Sequence, residues 1–132
     1  MSDADEALVQ FLLSRPGVVG EVGERIYPSP LPQKAVLPAV TYSDVSDVGS
    51  HSFDGPDATR RPRYQLDHWA RTRAEARRAE GVTREALDGF QGVWPGGLRI
   101  QGVFRRNGWV VYEPETKLYQ AISDYQVVTL GE

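Results

Sequence analysis

The 132-residue sequence predicts an α+β fold in which an antiparallel β-sheet of about four strands carries two helices, in the order α-β-β-α-β-β. Three patterns predict it: apolar residues recur at helical spacing near the N-terminus and past mid-chain, alternate with polar ones elsewhere, and are separated by proline, glycine and Asn-Gly clusters.

The first element is a helix. Ser2 or Asp3 can cap it, the early acids suit its positive end, and Ala7, Leu8, Phe11 and Leu12 form one stripe. Arg15 precedes Pro16-Gly17, which is expected to stop it. The apolar run is far shorter than the roughly 20 residues that cross a bilayer, and with its acidic start it predicts neither signal peptide nor membrane contact.

Residues 25–38 then carry Pro28, Pro30, Pro32 and Pro38. Each proline fixes φ and biases its predecessor toward extended backbone, so the stretch predicts a stiff connector leading to a first strand at 39–45. One role for it is a structural crossover. The other is a preformed arm, with Leu31 as its apolar member, that docks on a neighbouring subunit at little entropic cost. Residues 47–62 are rich in Gly, Ser, Asp and Pro and predict a long loop whose one aromatic, Phe53, is a candidate anchor for another protein.

RYQLDHWAR alternates cleanly, with Tyr64, Leu66, His68 and Ala70 on one face and Gln65, Asp67, Trp69 and Arg71 on the other. A tryptophan on that second, polar face implies that it is covered, by a helix or by another subunit. From Thr72 the period becomes helical, with a stripe of Ala79, Val82, Ala86, Leu87 and Phe90. Thr72 and Glu75 have capping-box spacing, and Gly81 predicts a kink or a close approach to the sheet. The helix should end near Gln91-Gly92, before the turn cluster VWPGG. Two β segments follow, 98–105 and 118–129, with Asn107-Gly108 read as a turn and 109–112 as a short paired strand.

Size and composition bound the rest. A chain of this length predicts a single domain over 1–132, able to bury roughly two-thirds of the surface it exposes unfolded. The net charge is −3 and a quarter of the residues are charged in mixed sign, so nothing global points to nucleic acid or membrane. With no cysteine there is no disulfide, thiolate catalyst or cysteine zinc site. No nucleophile elbow, phosphate loop or dinucleotide fingerprint is present, and Asp54 and Asp57 lack calcium-loop spacing. No enzyme activity, cofactor or metal is expected. A hydrolase centred on His68 is disfavoured because the adjacent Asp67 points to the opposite face. The arginines of residues 72–90 offer a second reading, a small nucleic-acid-binding module; Glu75 and Glu80, at pairing distance along the helix, make a solvated face the simpler account.

The N-terminal helix ending in Pro-Gly, then RIYP, LPQ, LPAVTY, YQLDHWA, TRAEA and PETKLYQAISDYQV in that order, resemble the tail completion, or tail-to-head joining, family of long-tailed bacteriophages and gene transfer agents. The resemblance implies a structural virion protein at the neck, on top of the tail, made in the host cytoplasm. It would form a homo-oligomeric ring, typically a hexamer, that caps the tail tube protein, meets the head-tail connector or stopper protein, and lets DNA pass without sequence-specific binding. The family transfers no catalytic residue. Candidate assembly contacts are Pro28, Pro30, Leu31, Pro32, Phe53 and Trp69.

Overall fold

The computed structural model describes residues 3–49 and 59–130. The fold is α+β, as expected, with more elements than the two helices and four strands predicted. Among the described residues there are three helices, α1 (Asp3–Leu13), α2 (Pro16–Val22) and α3 (Arg73–Leu87). The six strands are β1 (Ile26–Pro28), β2 (Ala39–Gly49), β3 (Thr59–Ala70), β4 (Gly92–Trp94), β5 (Leu98–Glu113) and β6 (Leu118–Leu130). They form one sheet in the order β1-β2-β3-β6-β5-β4, antiparallel except for the parallel pair β1 and β2.

Each departure from expectation has a local cause. Pro16 ends α1 but also opens α2: Arg15 is extended, and proline at the first helical position loses only an N–H that has no helical partner there. Strand β1 lies inside the segment read as connector, with Pro28 at its end on the outermost strand, where a missing donor costs nothing. Helix α3 stops at Leu87, because Asp88 turns extended while its N–H still reaches the Arg84 carbonyl at 2.9 Å. Gly81 marks no close approach, since nothing lies within 4 Å of where its Cβ would be. Strand β4 runs from Gly92 into the start of VWPGG, where the fully buried Trp94 ring stacks on Phe11 at 5.5 Å.

The Asn107-Gly108 turn is a correction. These residues lie within the continuous strand β5, just past a register shift between Arg105 and Asn107, and the hairpin turns instead at 114–117. Lys117, at φ 61°, closes that turn by donating its N–H to the Glu113 carbonyl at 2.8 Å. Both ends of the loop expected over 47–62 are strand instead, because β2 runs to Gly49 and β3 begins at Thr59.

All three helices pack on one face of the sheet. Leu8, Phe11, Leu12, Val18 and Val22 from α1 and α2, with Ala79 and Leu87 from α3, meet Val40, Tyr64, Leu66, Val103, Tyr125 and Val127 from the strands. Phe11 sits between Phe90, at 4.7 Å, and Trp94. The Tyr64 hydroxyl donates to Asp5 at 2.6 Å and ties α1 to the middle of the sheet.

Candidate assembly surfaces

Beneath α3, the covered face of the sheet carries a polar network. His68 has no solvent exposure; its Nδ1 lies 2.8 Å from the Ala121 carbonyl and its Nε2 3.0 Å from the Thr83 hydroxyl. A carbonyl only accepts, so Nδ1 holds the proton, and Nε2 shares the single proton of the Thr83 hydroxyl with the Ala79 carbonyl, 3.1 Å from that oxygen. Burial holds the imidazole neutral, with its pKa lowered to about 4 against the upward pull of the Ala121 carbonyl and Glu80. Glu80, read from sequence as part of a solvated face, is buried. It accepts from Arg105 Nε at 3.0 Å and from the Ser123 hydroxyl at 2.9 Å, and pairs with Arg84 at 3.6 Å. The network clamps α3 to β5 and β6, and no solute reaches His68.

Gly108 serves this network. The Arg105 guanidinium crosses the place where a Cβ on residue 108 would stand, so a larger residue there would have to push the arginine off its present path to Glu80. That explains a glycine in mid-strand where the sequence suggested a turn.

The opposite face has no helix against it among the described residues. Trp69 stands there half-buried, donating its indole N–H to Thr41 Oγ1 at 3.0 Å. Arg63 pairs with Asp124 at 3.2 Å, and the Gln65 amide donates to Asp67 at 3.0 Å. Burial raises the Asp67 pKa and the Asp124 charge adds to the rise, opposed by the Gln65 bond. Beside these groups β5 exposes Phe104, Trp109 and Val111, at 49%, 44% and 40%. Large apolar side chains of this kind, gathered on one uncovered strand, mark an interaction surface. The sequence reading put Trp69 on this face but missed the three β5 residues. Trp109 and Val111 alternate visibly, but Phe104 joins their face only through the register shift between Arg105 and Asn107, and the Asn-Gly reading cut the strand there.

The proline connector is a crossover. Parallel strands cannot be joined by a tight turn, and because β1 spans only Ile26–Pro28 the return path over residues 29–38 is short. It is held at both ends: Ser29 N–H reaches the Tyr42 carbonyl and Val40 N–H the Arg25 carbonyl, each at 2.9 Å, while Arg25 Nε donates to the Pro38 carbonyl at 2.9 Å. Pro28, Pro30 and Pro32 are exposed and Leu31 is half-buried, so this crossover also presents a stiff ridge to solvent. Phe53 and His51 lie outside the described residues.

The helix arginines face solvent, Arg78 against Glu21 at 3.5 Å and Arg84 against Glu80. Among the described residues no three His, Cys, Asp or Glu side chains gather as a metal would require, and no helix is long and apolar enough to cross a membrane.

Comparison with known proteins places this geometry. A search of curated proteins finds no match. Among solved structures, a chain of "Virion of native gene transfer agent (GTA) particle" is similar in fold, with a TM-score of 0.75 at 16% identity, covering 96% of this chain and 93% of that one. The profile of the family described as "Tail completion protein gp17" matches residues 6–130, from the first turns of α1 to the end of β6. The chain therefore belongs to the tail completion protein gp17 family.

Proposed function

We propose that this structural tail protein completes the tail tube as a ring, hexameric in the form the family resemblance suggests, and joins the tail to the head connector at the neck of the virion. Its partners are further copies of itself, the tail tube protein and the connector or stopper protein, and DNA passes through the ring without sequence-specific contacts. The observation that carries the reading is the family match over residues 6–130, which takes in every described strand. The molecule has what a ring subunit needs: heterologous closure requires two different complementary surfaces. The ridge of Pro28, Pro30, Leu31 and Pro32 at the β1 end of the sheet and the aromatic face of β5 at the other end, with Trp69 between them, supply candidates.

The test is complementation. Cells that assemble the particles without this chain are expected to accumulate DNA-filled heads and separate tails, and supplying the chain in trans should restore joined particles. Joined particles at normal yield in its absence would contradict the reading.

A further inference from the structure

Helix α3 passes β5 on the covered side of the sheet. Val110 packs against a small cluster that includes Ala76, and Arg105 bonds to Glu80, so the first turns of α3 stand beside residues 108–112 and the two elements run in opposite directions. The outer edge of β5 is covered at its start: β4 pairs with Leu98 to Ile100, Gly89 N–H donates to the Val103 carbonyl at 2.8 Å, and Asp88 Oδ1 accepts from Arg105 N–H at 3.0 Å. Past Arg105, no described element pairs with that edge over residues 107–113. Gly49 and Thr59, which flank residues 50–58, stand at the other end of the sheet, where Thr59 faces Leu130.

Gly108 N–H is taken by the Asn107 side chain at 3.1 Å and not by β6, so alternation turns the backbone groups of Gly108, Val110 and Tyr112 outward. Their carbonyls and the N–H groups of Val110 and Tyr112 face open space. On the helix side of this edge, Tyr112 lies against Tyr119 at 4.9 Å and is 48% exposed. Above it α3 presents a row of charge: Arg73, Arg77, Glu80 and Arg84 recur at spacings of four, three and four, one side of a helix, and the bond from Glu80 to Arg105 fixes that row on the β5 flank. Glu80 is held by Arg105, Ser123 and Arg84, and Asp88 by the Arg105 backbone. Arg73 and Arg77 are exposed and have no acid at ion-pair distance among the described residues. The other acids nearby are turned elsewhere. Glu75 accepts from Arg71 N–H, and Glu85 follows Arg78 by two turns on the flank where Arg78 meets Glu21. Glu113 projects to the opposite face of the sheet and accepts from Thr116, while Glu115 shares the turn with Lys117.

We propose that the groove between α3 and the open edge of β5 takes an extended acidic segment of another protein, added as a strand along residues 108–112 with its carboxylates toward Arg73 and Arg77. The edge supplies main-chain donors and acceptors, which a peptide strand matches and a nucleic-acid backbone does not, and the two free arginines select the sign of the partner's charge. Spacing agrees. Arg73 and Arg77 stand about 6 Å apart along the helix axis, close to the roughly 6.8 Å between alternate residues of a strand, whose side chains share one face. The occupant also covers Tyr112 and closes an edge otherwise open to unwanted pairing. This groove lies on the helix side of the sheet, apart from the proline ridge and from exposed Phe104 and Trp109, and does not depend on the ring reading.

The probe is a peptide of alternating glutamate and threonine, titrated into the full chain beside an alternating lysine-threonine peptide and a short DNA duplex. The acidic peptide alone is expected to bind and to slow hydrogen exchange at the Val110 and Tyr112 amides. Its affinity should fall at least about tenfold when Arg73→Glu and Arg77→Glu are combined, and survive Arg73→Lys with Arg77→Lys. Both arginines are exposed, so neither pair of substitutions disturbs the core. No binding of the acidic peptide, binding without protection of those two amides, affinity unchanged by the glutamate substitutions, or equal binding of DNA overturns the assignment. Protection of the same amides in the chain alone also overturns it, because another copy then already holds the edge. The joining role is decided separately, by complementation.

Discussion

At the scale of single residues, His68 ties stability to pH. Its pKa is about 4 in the folded protein against about 6.5 in an unfolded chain. Between those values the unfolded state binds the extra proton, so stability is full above pH 6.5 and falls as pH drops toward 4, by about 3 kcal/mol for this group. Denaturant titrations across that range should show a shallower pH dependence for His68→Gln than for the parent chain; parallel curves would mean that His68 is not held neutral. Glu80 is harder to replace, because removing it leaves the partly buried Arg105 and the fully buried Ser123 without their acceptor.

At the scale of elements, two glycines of α3 and β5 separate propensity from packing. Gly81 sits in α3 with open space where a Cβ would go, so Gly81→Ala should stabilise the protein by roughly 0.5–1 kcal/mol. Gly108→Ala meets the Arg105 guanidinium held on Glu80 and should cost about 1–3 kcal/mol, as overpacking does. Thermal midpoints moving in opposite directions would confirm both. The same contrast explains what was legible beforehand. Strand β3 and helix α3 were readable because burial on one face repeats at a single period over many residues, as in Tyr64, Leu66, His68 and Ala70. Strands β1 and β4 are three residues each, too short for any period, and exist because Val40, opposite Ile26, and Ile100, opposite Gly92, offer them backbone partners once the intervening chain has turned back. Asn107-Gly108 was misread because a glycine needed for a neighbouring arginine looks locally like one needed for a turn. Alternation alone assigned Trp69 to the face opposite Tyr64 and His68; that reading expected the face to be covered, and no described helix covers it. Sheet order could not be found that way, since it and the capping of β5 by Asp88 and Gly89 arise from tertiary packing.

At the scale of the whole molecule, the helices cover one face of the sheet and leave the other, with Trp69, Phe104, Trp109 and Val111, uncovered among the described residues. On the ring reading proposed above, this uncovered face is the surface left for a neighbouring copy. The most direct test of the central claim is gold labelling of intact particles with antibody to this chain, viewed by electron microscopy. Label at the junction of head and tail is the predicted result. Label confined to the capsid or the distal tail tip, or none on particles whose epitope is shown to be accessible, would contradict it.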